Sequence, residues 1–165
     1  MNNVTLIGMP GCGKSTIGVV LAKVLGYRFV DTDLLIQERE SMLLHEIIRE
    51  KGTEAFARIE EEVNAHVQGN KMVIATGGSV VYGQKAMEHL RSISTVVYIR
   101  LPLAELEHRL GNIRRRGVLL REGQTLTDLY EERCPLYEKY AHIAVDAMGM
   151  NVEQLMDEIV KRLDS

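Results

Sequence analysis

"GMPGCGKST", residues 8–16, follows the short apolar run "NVTLIG" (3–8) and leads directly into a stretch of helical periodicity. It satisfies G-x-x-x-x-G-K-[ST] in full, from Gly8 through Gly13 and Lys14 to Ser15, in the strand–loop–helix setting that the pattern requires. Glycines permit backbone shapes and close approaches that a Cβ would block. Successive N–H groups can then converge on an anion, and the start of the following helix adds partial positive charge. Gly11, Cys12, Gly13, Lys14, Ser15 and Thr16 are the expected nucleotide-binding positions. Lys14 can reach the outer phosphates as a point charge, and the Ser15 hydroxyl can ligate Mg²⁺. Cys12 fits as a tolerated small residue rather than a nucleophile.

The chain around this loop alternates short apolar runs with longer amphipathic ones. "NVTLIG", "YRFVD" (27–31), "KMVIAT" (71–76), "TVVYIR" (95–100) and "HIAVD" (142–146) read as buried strands. Ile17, Val20, Leu21, Val24 and Leu25 repeat at helical spacing until Gly26 stops them. "LLIQERE" (34–40) reads as a further helix. Thr53 is expected to cap a helix carrying Phe56, Ile59, Val63 and Val67, closed by Gly69-Asn70. "PLAELEHRL" (102–110) starts a helix on a proline, where the missing N–H costs little. "TLTDLYEERCPLYEKYA" (125–141) and "VEQLMDEIVKRL" (152–163) supply the last two, with Pro135 kinking or dividing the former. Strands separated by helices need crossover connections, so the expected fold is a three-layer α/β domain with a mainly parallel sheet.

Size and charge narrow the partners. The 165 residues, 45% hydrophobic and 26% charged, suit one domain spanning 1–165. A net charge of −3 offers no general attraction for nucleic acid or an anionic membrane, so an anion site must be built locally. "MNNVTLIG" lacks the charged start and long apolar run of a signal peptide. Two cysteines far apart in sequence imply a reducing compartment. The expectation is a cytoplasmic protein. "RRR" (114–116) carries no aromatic interleaving and reads as a lid or a solvated turn rather than an RNA patch.

A phosphate loop alone specifies a nucleotide, not a reaction. The chain lacks an N/TKxD base-recognition motif, which argues against a GTPase, and its length suits a small-molecule kinase. "DTD" (31–33) ends the second strand, at the edge of an open α/β sheet where ligands bind. Asp31 can hold the metal, directly or through water. Asp33 can accept a proton from an attacking hydroxyl, or simply orient it. The same acids also suit an Asx-turn or helix cap. "ATGGS" (75–79) ends the third strand at the same edge, with Gly77 and Gly78 offering N–H groups to an anionic acceptor.

Taken in order, GMPGCGKST, DTD, "FARIEE" (56–61), ATGGS and "ERCPLYEKYA" (132–141) resemble the shikimate kinases, over residues 3 to about 160. The resemblance implies a nucleoside-monophosphate-kinase-like P-loop fold with a five-stranded parallel sheet of order 2-3-1-4-5. It also implies ATP as donor, Mg²⁺, an acceptor segment at about 32–62 and a lid at about 111–124. On this resemblance Asp31 takes the metal-linked position, Asp33 the acceptor-binding one, and Arg133 the arginine that grips the acceptor carboxylate. Glu60 matches a family acid near the acceptor. A monomer and the phosphorylation of shikimate are the further implications.

Three positions depart from the family pattern. The arginine after the helix phenylalanine is Ala57, with Arg58 next door as the candidate substitute although one residue turns a helix by roughly 100°. The third glycine of the G-G-G run is Ser79. In the lid, Gly117 takes the arginine position and Arg116 precedes it as the candidate catalytic cation, beside Lys14 and Asp33. All three touch the acceptor or the lid, so the competing readings are a kinase of another small hydroxy acid or polyol and a non-catalytic nucleotide-binding module.

Overall fold

The computed structural model describes residues 2–110 and 124–165. Five parallel strands, β1 (Val4–Ile7), β2 (Arg28–Asp31), β3 (Met72–Ala75), β4 (Thr95–Arg100) and β5 (Ile143–Asp146), lie in the order β2-β3-β1-β4-β5. All five match the expected strands. β1 and β3 are buried along their whole length, as strands covered on both faces must be, which is why they read as unbroken apolar runs rather than alternating ones. Register puts Val4 beside Val73 and Thr95, and Asp31 beside Ala75, so the strand ends that carry the motifs share one edge.

Helices α1 (Lys14–Leu25), α2 (Thr32–Glu40), α3 (Leu44–Lys51), α4 (Thr53–Ala65), α5 (Gln84–Ile93), α6 (Leu103–Arg109), α7 (Leu126–Tyr140) and α8 (Val152–Leu163) surround the sheet, with a 3-10 turn at Val80–Tyr82. α1 ends as expected on Gly26, whose φ of 72° accommodates the left-handed cap. The main core joins the sheet to these helices, with Leu6, Ile7, Val73, Ile74, Val96 and Val97 at its centre. A second, smaller core of Ile36, Ile47, Phe56 and Val63 ties α2, α3 and α4 into one unit beside it.

Several boundaries differ from expectation. α4 is capped by Gly52 and ends at Ala65; Thr53 is its first residue, its hydroxyl makes no cap bond, and Val67 lies beyond the helix in the main core. Pro102 caps α6 rather than opening it. Pro135 does not divide α7, which runs through it from Leu126. The helices α3 and α5 were not anticipated. Among the described residues, no helix is long and apolar enough to cross a membrane.

Candidate active site

The phosphate loop turns off the central strand at Gly8, where φ is 153° and an added Cβ would lie 2.9 Å from the Ile99 carbonyl oxygen. At Gly13 a φ of 95° swings the chain into α1, a conformation a side chain would oppose. No side chain caps α1, so its first N–H groups face the loop. Lys14 is buried, and its ammonium donates to the carbonyls of Gly8 at 2.7 Å and Met9 at 3.0 Å. A phosphate entering the loop would compete with two neutral carbonyls for that charge, and an anion is the stronger acceptor.

Beside the loop, at the end of β2, Asp31 caps a helix with one oxygen and meets the loop with the other. Its Oδ1 accepts from the backbone of Asp33 at 3.0 Å and of Leu34 at 3.4 Å, which caps α2. Its Oδ2 accepts from the Ser15 hydroxyl at 3.3 Å. Capping one oxygen orients the other toward the loop. Asp33, two residues on, is half-buried, and its carboxyl is pushed up to about 6, first by loss of water and then by Asp31, against the pull of Lys14.

A cleft of about 290 Å³ gathers the loop residues Gly11, Gly13, Lys14, Ser15 and Thr16 with Asp33, Glu60, Gly77, Gly78, Ser79 and Arg133. Asp33 and Glu60 approach the face of Gly77 from two helices: an added Cβ there would meet Asp33 Oδ1 at 2.7 Å and Glu60 Oε2 at 3.0 Å. At Gly78 it would meet Arg133 Nη1 at 2.9 Å. The glycines thus leave room for carboxylates and a guanidinium to reach one small space. The Gly78 carbonyl is fixed by the Tyr137 hydroxyl at 2.6 Å. Arg133 is only 1% exposed; its Nε donates to the Tyr82 hydroxyl at 3.2 Å and its guanidinium lies 5.3 Å from the Tyr82 ring centre.

Arg58 is not brought into this cleft. It is exposed on α4 and lines an adjoining cavity of about 140 Å³ with Glu61 and Tyr82, one that shares Glu60 and Ser79 with the cleft. Ala57 borders that cavity and a second of about 170 Å³ lined by Glu54, Tyr82, Glu132 and Arg133. Arg116, Gly117 and the lid through residue 123 lie outside the described residues. Cys12 is buried beneath the loop and borders a further cavity of about 370 Å³ with Thr16, Arg109, Met150 and Val152. Sequence reasoning did not find that cavity, because its walls come from three distant segments.

Glu60 is the most strongly dehydrated acid of the site. Its carboxyl is pushed up to about 7, chiefly by burial; the Ser79 hydrogen bond and Arg133 pull it down, and Asp33 pushes it up. In the unfolded chain it titrates near its ordinary 4.5, so the folded state holds an extra proton between there and about 7. Stability from this group is therefore lost as pH rises through that window. The Glu60→Gln variant should gain on the parent protein between about pH 5 and pH 8, by up to about 3 kcal/mol. Denaturant unfolding at both pH values checks this; the same difference at both would refute it.

A phosphate loop opening into a cleft that also holds a carboxylate and a buried arginine has somewhere to send a phosphoryl group. The fold and site are those of a P-loop small-molecule kinase, a phosphotransferase. The shikimate kinase family model matches residues 10–164. A shikimate kinase of Clostridium botulinum (strain Eklund 17B / Type B) is 36% identical, covering 97% of this chain and 96% of that protein. One from Persephonella marina is 32% identical, covering 99% of each. The solved shikimate kinase of Acinetobacter baumannii in complex with shikimate superposes with a TM-score of 0.91 at 29% identity, covering 99% of this chain and 93% of that one. The chain belongs to the shikimate kinase family.

Proposed function

We propose that the chain transfers the γ-phosphoryl group of ATP to a hydroxyl of shikimate, giving ADP and 3-phosphoshikimate. The observation that carries this is the single cleft holding Lys14, Asp33, Gly77, Gly78 and Arg133 together. In this reading the loop N–H groups and Lys14 hold the outer phosphates, Arg133 takes the acceptor carboxylate, and Asp33 orients the attacking hydroxyl or receives its proton. The cavity beside Arg109 and Val152 adjoins the loop on the side away from the acceptor and suits the nucleotide base. Arg116 supplies charge at the transferring phosphate from the lid.

Ser15 and Asp31 present two hard oxygen donors 3.3 Å apart beside the loop, the chemistry that Mg²⁺ prefers. They would hold that ion, Asp31 directly or through water, and it would neutralise charge between the outer phosphates. The reading also takes residues 1–165 as one cytoplasmic, monomeric kinase domain whose acceptor segment is about 32–62.

Ala57 carries the second reading, a different small hydroxy acid as acceptor, since two cavities stand where the family's arginine would extend. Turnover with ATP and Mg²⁺ against a panel of cyclic and linear hydroxy acids separates the two: shikimate should give the highest kcat/KM. Absence of acceptor-dependent ADP throughout would favour a nucleotide-binding module. Within the first reading, Ala57→Arg should lower the KM for shikimate about tenfold by adding a charge-assisted contact, with the KM for ATP unchanged. Unaltered acceptor kinetics would count against this pocket geometry.

A further inference from the structure

Ser79 and Tyr82 sit three residues apart on the turn that leaves β3, and each touches a different charged group of the acceptor half of the cleft. The turn is tight: Val80 N–H donates to Gly77 O at 3.2 Å, Tyr82 N–H to Ser79 O at 3.1 Å and Gly83 N–H to Val80 O at 3.1 Å. From this frame the Ser79 hydroxyl donates to Glu60 Oε1 at 2.7 Å, with both residues buried. Holding Oε1 leaves Oε2 facing Gly77 beside Asp33. The Tyr82 hydroxyl accepts from Arg133 Nε and donates to Glu132 Oε1 at 2.6 Å, while its ring stacks under the guanidinium. Holding the Nε edge directs Nη1 to the Gly78 wall.

We propose that Ser79 and Tyr82 are positioning residues that set acceptor affinity, aligning Glu60 and Arg133 in place of the second arginine that Ala57 lacks. The reason is geometric. With neither Ala57 nor Arg58 among its walls, Arg133 is the arginine lining the cleft among the described residues. A carboxylate gripped by one guanidinium depends on that group's orientation, and bidentate contact is lost by small rotations. The departure at Ser79 adjoins the departure at Ala57, because both line one cavity with Glu60.

The proposal rests on shikimate as acceptor, and the tests separate the two. In steady-state assays Tyr82→Phe and Ser79→Ala should each raise the KM for shikimate about three- to tenfold, from loss of one hydrogen bond. Tyr82→Leu, which also removes the stacking, should raise it about ten- to thirtyfold. The kcat and the KM for ATP should stay within about twofold, and Ser79→Thr should restore the parent value. Acceptor KM values unchanged in Tyr82→Leu and Ser79→Ala would overturn the proposal. Should the parent enzyme not phosphorylate shikimate, the functional reading fails, and two acceptor-free measurements still decide this one. The slowly exchanging nitrogen-15 signal of Arg133 Nε–H, assigned with Arg133→Lys, should be lost in Tyr82→Phe. The carbon-13 titration of Glu60 should move to higher pH in Ser79→Ala, with Asp33 and Arg133 facing it in both proteins. An Arg133 Nε–H signal that survives Tyr82→Phe, or a Glu60 titration unmoved by Ser79→Ala, would refute the proposal.

Discussion

Lys14→Ala should reduce phosphoryl transfer by roughly a thousandfold or more, the scale expected when a preorganised cation at a transferring phosphate is removed. Lys14 is the buried ammonium of the loop, held in place by the Gly8 and Met9 carbonyls. No other lysine lines the cleft among the described residues, so no second ammonium there can replace it. The substitution also frees two carbonyls that the ammonium had satisfied. Lys14→Met keeps the apolar stem and controls for loss of loop packing. ADP release measured with saturating acceptor checks the effect, alongside a thermal midpoint to show that the fold is intact. Turnover within tenfold of the parent in a folded variant would remove Lys14 from the mechanism.

The second large effect is expected at Asp33. Asp33→Asn should lower turnover about a hundred- to ten-thousandfold while ATP affinity changes less than about threefold. The amide preserves shape but can neither carry charge nor take a proton from the hydroxyl. ATP binding is largely spared because the hydrogen bond between these neighbours runs from the Asp33 backbone N–H to Asp31 Oδ1, which the amide leaves in place. The folded protein should be no less stable, since a carboxyl pushed up to about 6 by dehydration costs free energy at neutral pH that an amide does not. Titration calorimetry with an ATP analogue and a coupled assay measure the two quantities. Full turnover would show that alignment by Gly77, Gly78 and Arg133 suffices without Asp33.

These two residues were readable because their chemistry is local. Lys14 is defined by the residues flanking it, and Asp33 by the end of a strand. The same holds for the five strands, where unbroken runs of Val and Ile signal burial on both faces. Local signals failed where a longer-range contact decided the outcome. Thr53 has the composition of a helix cap, yet Gly52 fills that position and the Thr53 hydroxyl makes no cap bond. The helix α5 could have been found from Ala86, Met87 and Leu90, which recur on one face and are fully buried. Adjacency to Ala57 does not bring Arg58 into the cleft itself: it lines the neighbouring cavity, whose wall the cleft shares at Glu60 and Ser79.

The sequence by itself determined the phosphate loop, the strand order through its family resemblance, and the acid at the end of the second strand. Each depends on residues close along the chain, whose backbone conformations and burial are set within a few positions. Only the tertiary structure decided which neighbours hold Glu60 and Arg133 in the cleft. Glu60 meets Ser79 across 19 positions and Arg133 meets Tyr82 across 51, so no spacing rule connects them. Those pairs form because a rigid turn after β3 and the packed helices α4 and α7 bring them together away from water, where a charged group must find a partner.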